Sequence, residues 1–301
     1  MPRTVVAGPA DTRGPDNHLS AVFSDDAARD AHMVRFLRPA FERGERMEYF
    51  TEATPPETVL RVLEDHGLDA TGARERGQLS VVAARDAYLS DGPFDPDRMV
   101  EQWHRSVREA ERAGFGGLRA VGEMSWYGRG VPGSERLLEY ELRIHREVFE
   151  RLPSLAAMCL YDRRLMTDAD VALLDGVHPE HRRIGKERIP PPTLRVVPLE
   201  GRAGVALGGE VNHSVRHVVA GVAAALACSD TPGTRGTPGE EVVELDLSEL
   251  EHIDLDGTVR LVSAATREPG RRLVVVDPPP CLLRLLDIFP ELNAALEVVS
   301  R

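Results

Sequence analysis

Residues 249–261, ELEHIDLDGTVRL, set Asp254 and Asp256 on either side of Leu255, directly ahead of Gly257 and Thr258. Two close carboxylates can share general acid–base work, contribute to a metal site, or cap a helix. No nucleophile or electrophile accompanies this pair, and two carboxylates alone are too few ligands for a cation. Asp-Gly ahead of an apolar-periodic run instead favours Asp256 as a helix N-cap. A fixed negative charge at Asp256, imitating a phosphorylated state, is compatible with that role.

Other chemistry-bearing residues lie in the first half. His18 opens an apolar run and can donate, accept or titrate near neutral pH, or serve as a core histidine. GLRAVGEMSWY (117–127) joins the carboxylate of Glu123 to the aromatic faces of Trp126 and Tyr127. That set suits a small polar or cationic ligand, or a strand-end packing cluster. In LAAMCLYD (155–162), Cys159, Tyr161 and Asp162 alternate along a strand and are expected to share one face. His178 and His181 in HPEH suit a helix end or a metal site, and the helix end is preferred. His213 and His217 are four apart, yet no third ligand is evident and a solvated helix face is the simpler reading. No metal site is assigned, and no cofactor is specified. No G-x-x-x-x-G-K-[ST] occurs, and Lys186, the only lysine, falls after the last helix of this half. Without that loop or an assignable nucleophile–base set, the chain is expected not to be an enzyme.

These residues need elements to position them. Apolar runs alternate with amphipathic stretches from residue 18 onward, predicting strands at 18–23, 47–53, 78–88, 117–127 and 155–162. Helices are predicted at 25–44, 55–67, 95–114, 134–152 and 167–178. Such alternation calls for a mainly parallel sheet covered on both faces. KERIPPPT (186–193) interrupts the pattern as a stiff linker. Strands at 194–200, 204–211, 242–248 and 272–278 follow, with helices at 214–227, 257–268 and 281–292. The 301 residues thus divide into a flexible tail (1–16), a larger α/β domain (17–185), the linker, and a smaller α/β domain (194–301).

A formal charge of −12 argues against a nucleic-acid or anionic-membrane binder. The sequence has no apolar run of spanning length and its start lacks a secretory layout. Cys159, Cys228 and Cys281 are scattered thiols, so a reduced cytoplasm is expected.

The second half resembles the STAS family of anti-sigma factor antagonists through GGEVN (208–212), VVELDLSELEHIDLDGTVRL (242–261) and RRLVVVDPPPCLLRLLDIF (271–289). In partner-switching members the serine after "I-D" is phosphorylated by an anti-sigma kinase. Here that position is Leu255, which has no oxygen to accept a phosphoryl group, so regulation without phosphorylation is expected. The resemblance implies a partner surface including Asn212, Ser214, Asp254, Leu255, Asp256 and Thr258, facing an anti-sigma factor or serine kinase.

The first half resembles the MEDS (DcmR-type sensory) family through His18, FLRPAFERGERMEYF (36–50), GLRAVGEMSWY, CLYDRRLM (159–166) and VHPEHRRIG (177–185). That resemblance implies a RecA/KaiC-like fold adapted to small-molecule sensing. The candidate ligand residues are His18, Glu123, Trp126, Tyr127, Cys159, Tyr161, Asp162 and His178. Together the halves read as a bacterial signal-transduction regulator whose sensor controls a STAS output. The alternatives are a nucleotide-binding or enzymatic RecA-like protein with a regulatory tail, and a scaffold that forms homo-oligomers.

Overall fold

The computed structural model describes residues 17–88, 92–178, 180–182, 189, 191–228, 241–267 and 271–301. The proposed tail, Lys186 and half of the proline linker lie outside them. The first strand, β1 (His18–Phe23), is buried at every position, as a central parallel strand covered on both faces must be. Helix α1 (Asp26–Arg43) begins where the Asp25 carboxylate accepts from the N–H of Ala28 and stops at Gly44, whose φ of 66° suits a residue without Cβ. β2 (Arg46–Thr51), α2 (Pro56–Asp65), α3 (Ala70–Glu75) and β3 (Leu79–Ala83) follow.

The predicted strand at 78–88 is shorter than expected. Residues Ala84–Tyr88 form helix α4, because Ala84, Ala87 and Tyr88 recur at helical spacing and bury one face together. α5 (Pro96–Arg112) and β4 (Leu118–Glu123) come next, and the chain then leaves the sheet in a 3-10 turn at Ser125–Arg129. The long helix expected at 134–152 is broken: a 3-10 turn precedes α6 (Leu137–Ile144), and a π-helical turn occupies His145–Phe149. β5 (Leu155–Asp162), α7 (Asp168–Gly176) and β6 (Glu180–Arg182) complete the first sheet. Its order is β3-β2-β4-β5-β1-β6, with every pairing parallel.

The second sheet starts with an antiparallel hairpin of β7 (Leu194–Pro198) and β8 (Gly204–Val211). α8 (Arg216–Ala227), β9 (Glu241–Ile253), α9 (Leu255–Ala265), β10 (Arg271–Val276), α10 (Pro280–Ile288), α11 (Pro290–Asn293) and β11 (Leu296–Val299) follow. The order is β11-β10-β9-β8-β7, parallel from β8 to β11. β9 runs well past the strand expected at 242–248, and β11 was not expected. Buried positions in β9 alternate through Val243, Leu245 and Leu247, so one face of this sheet is packed and the other is more exposed.

Two glycines set the geometry where β8 ends. Gly209 lies at φ 95°, beside a register shift between β8 and β9, and a Cβ there would sit 2.4 Å from the Thr193 carbonyl oxygen. Gly257 lets the first turn of α9 approach β8, since its Cβ would meet Val211 Cγ1 at 2.4 Å.

The core of the second sheet is not made by the second half alone. Leu138 and Leu142 of α6, with Leu173 and Val177 from α7 and its end, join Val218, Val222, Leu245 and Val275 in one apolar cluster.

Candidate functional site

β1 and β5 are neighbours, with Ser20 opposite Cys159 in register. His18 and Cys159 therefore project from adjacent strands toward the layer holding α6 and α7. Glu141 enters from α6, and His178 from just beyond the end of α7. All four side chains are buried. Glu141 Oε2 lies 3.4 Å from His18 Nε2 and 3.7 Å from His178 Nε2. Cys159 Sγ lies 3.9 Å from His18 Nε2 and 3.9 Å from Glu141 Oε1, and the Tyr161 hydroxyl donates to Glu141 Oε1 at 3.4 Å. Phe149, delivered by the π-helical turn, stacks on His18 with ring centroids 4.3 Å apart.

Burial favours the neutral form of each group here. It pushes Glu141 and Cys159 up, and Cys159 also feels the neighbouring Glu141 carboxylate. It pushes His178 down to about 3, and His18 well below its usual value, with His145 adding to the effect on His18.

The structure thus brings together His18, Cys159, Tyr161 and His178 from the expected ligand residues. The remaining members lie elsewhere. Asp162 does not share the face of Cys159 and Tyr161: adjacent strand residues point to opposite sides, and Asp162 pairs with Arg164 at 2.7 Å. Glu123 is an internal anchor. It accepts from the Tyr49 hydroxyl at 2.9 Å and from the backbone N–H groups of Glu52, Ala53 and Thr54 at 2.8–3.2 Å. Trp126 is buried against Tyr88 and Phe94. Tyr127 faces Asp170, and burial with that carboxylate pushes its hydroxyl up to about 12. Glu123, Trp126 and Tyr127 thus each engage different partners. A cleft of about 200 Å³ on the opposite face of the sheet is lined by Leu19, His32, Arg35, Phe36, Pro39, Arg119 and Met158, outside the predicted set.

Sequence reasoning missed Glu141. Its signal was a carboxylate on the same helical stripe as Leu137, Leu138, Ile144 and Val148, where a charge is otherwise out of place. For His178, counted among the candidate ligand residues, the preferred reading was a helix-end polar residue. Its Nδ1 does meet the Leu174 carbonyl at 2.8 Å, but Nε2 points into the cluster. His181 falls in β6.

α6 belongs to both layers. Glu141 faces the cluster, while Leu138 meets α8, where a Cβ on Gly221 would lie 3.1 Å from Leu138 Cδ2. Arg143 holds Glu147 at 2.8 Å, Glu139 at 3.2 Å and Asp97 at 2.7 Å, fixing α6 against the π-helical turn and α5.

At the opposite end of the second sheet, the N-cap of α9 is Asp254 rather than Asp256. The Asp254 carboxylate accepts from the Gly257 N–H at 2.8 Å. Asp256 points to solvent and pairs with Arg260 one turn on, at 2.7 Å. Thr258 is buried, its hydroxyl donating to the Asp254 carbonyl at 2.9 Å, so it does not contribute an accessible surface. Asn212 accepts from the N–H and hydroxyl of Ser214. Leu255 and Val259, one turn apart on α9, are both exposed. No helix among the described residues is long and apolar enough to cross a membrane.

A parallel α/β layer with a buried histidine–carboxylate–thiol centre, packed through α6 and α7 against a second mixed sheet, defines the class of molecule. The chain belongs to the MEDS family, the methanogen/methylotroph, DcmR sensory domain, whose sequence profile matches residues 17–179. Over 158 residues it is 28% identical to the transcriptional repressor DcmR of Methylorubrum extorquens, covering 52% of this chain and 55% of that protein. The match thus spans about half the length of that relative. Among solved structures, a KaiC-like protein of Pyrococcus horikoshii is similar at 13% identity and a TM-score of 0.36, covering 49% of this chain and 61% of that one. An uncharacterized protein of the same archaeon, solved with an unknown peptide, is similar at 15% identity and a TM-score of 0.38, covering 49% and 69%.

Proposed function

We propose that this protein is a bacterial signal-transduction regulator in which the MEDS layer senses a small-molecule or ionic signal and the second half acts as a STAS-like output. The observation that carries this reading is the position of α6, which puts Glu141 into the buried cluster and Leu138 and Leu142 into the core of the second sheet. A signal that favours one setting of the cluster moves the same helix that α8 packs against. Only a ligand with different affinities for the two settings shifts their populations.

The output surface in this reading is the end of β8 with the start of α9, including Asn212, Ser214, Leu255 and Asp256. The exposed Leu255–Val259 pair supports it as an apolar anchor flanked by charge. The partner is an anti-sigma factor or related serine kinase, bound in the cytoplasm without phosphoryl transfer and without catalysis by this chain. Binding of a purified sigma-regulatory kinase to the full chain tests it. Wild type binds and takes up no phosphate, Leu255→Arg loses binding, and Leu255→Ser becomes a phosphoacceptor. Phosphate on the wild type, or binding unaffected by Leu255→Arg, overturns the proposal.

A further inference from the structure

We infer that His18, Glu141, Cys159 and His178 form a binding site for one divalent transition-metal ion of the zinc class. The inference rests on the cluster geometry and not on the identity of the output partner.

The first argument is lone-pair accounting. His178 Nδ1 lies 2.8 Å from the Leu174 carbonyl oxygen, so it carries the ring proton and leaves Nε2 as a bare acceptor. That nitrogen faces Glu141 Oε2, which is itself an acceptor when ionised. Neither atom has a hydrogen-bond partner, although both are fully buried. Buried polar atoms of this kind are rare, because each forfeits its hydration with nothing in return. A cation between them satisfies both.

The second argument is distance. With Zn–N and Zn–O near 2.0–2.1 Å and Zn–S near 2.3 Å, the edges of a tetrahedron are about 3.3–3.6 Å. Three edges are observed at 3.4, 3.7 and 3.9 Å (Glu141 Oε2 to His18 and to His178, and His18 to Cys159), and the four ligand atoms all lie within 4.8 Å of one another. Inward movement of the side chains by up to about 1 Å centres an ion.

The third argument is charge and ligand chemistry. On binding, the Cys159 thiol and the carboxyl of Glu141, where protonated, release their protons to solvent, and the two groups coordinate as thiolate and carboxylate. Two anions and a dication sum to zero, which a buried site requires. One thiolate, two imidazoles and one carboxylate suit Zn²⁺ and Co²⁺ better than Mg²⁺ or Ca²⁺, which prefer all-oxygen shells. The Leu174 carbonyl supplies the outer-shell acceptor that orients a ligating histidine.

The ligands come from β1, β5, α6 and the end of α7, so the ion ties α6 to the parallel sheet. The 301-residue chain, produced in zinc-supplemented medium and freed of any affinity tag, is expected to retain about one zinc per chain after dialysis. Replacement by Co²⁺ is expected to give the visible bands of a tetrahedral ion and a thiolate-to-cobalt charge-transfer band. Cys159→Ser abolishes the charge-transfer band, and His178→Gln lowers metal retention at least tenfold. Should these variants not fold, the wild type decides alone: chelator lowers its melting temperature and Zn²⁺ restores it. A folded wild type that retains no zinc and melts identically with chelator or Zn²⁺ overturns the inference. So does a cobalt spectrum without the thiolate band.

Discussion

The contact between α6 and α8 is one of the places where the two layers are joined, beside the packing of α7 into the second core, and Gly221→Ile tests it. A Cβ at position 221 already lies 3.1 Å from Leu138 Cδ2 and 3.3 Å from Leu138 Cβ and Cγ, and isoleucine adds branched atoms beyond it. Overpacking of this kind costs about 1–3 kcal/mol. Replacing a helical glycine offsets roughly 0.5 kcal/mol through propensity, leaving a net loss of about 0.5–2.5 kcal/mol. Leu138→Ala alone empties part of the shared core and costs about 2–5 kcal/mol. In the double variant the new side chain occupies the space that Leu138 vacates. The two losses are therefore expected to fall short of their sum by about 1–3 kcal/mol. Urea unfolding of the four proteins, followed by circular dichroism, measures this coupling. Additivity within about 0.5 kcal/mol would refute the claim that α6 and α8 are pressed together at this point.

Further outcomes follow from other contacts. Glu123→Ala strands the Tyr49 hydroxyl and three backbone N–H groups, so urea unfolding should show a loss of about 3–5 kcal/mol; a loss below about 1 kcal/mol contradicts the anchoring role. Asp254→Ala removes the α9 cap and should cost about 1 kcal/mol, whereas Asp256→Ala should leave the urea midpoint unchanged. Burial raises the Glu48 carboxyl above its usual range. The folded state therefore binds more protons than the unfolded one once the pH exceeds about 4.5, the unfolded value, and wild-type stability falls relative to Glu48→Gln as pH rises from there toward neutrality. A pH series of urea midpoints that shows the opposite trend refutes this. Iodoacetamide should label Cys228 and Cys281, which are half-buried, before Cys159; peptide mass spectrometry reads the order.

Much of the fold was legible because hydrophobic periodicity is a local property. β1, α1, α5, β5 and α7 fall within a few residues of their expected positions, and alternation of strands with helices correctly implied a parallel first sheet. The misreadings have tertiary causes. Ala84–Tyr88 continues an apolar run that looks like strand, but its side chains find the core only when coiled. The π-helical turn at His145–Phe149 brings Phe149 onto His18, a contact more than a hundred residues apart that local periodicity does not encode.

The candidate site divides along the same line. Residue types alone marked His18, Cys159 and His178 as chemically capable. Which of them meet was decided by topology. The pairing of β1 with β5 is parallel and non-local, so no spacing rule relates His18 to Cys159. Glu141 reaches them because α6 crosses that face of the sheet, and Asp162 is excluded because strand neighbours point to opposite faces. Asp254 rather than Asp256 caps α9 because the approach to Val211 at Gly257 sets where the helix begins. Composition and pattern determined which chemistry was available; the long-range pairing of strands and the packing of α6 determined which groups share a centre, since only a folded backbone converts distant sequence positions into a few ångströms of separation.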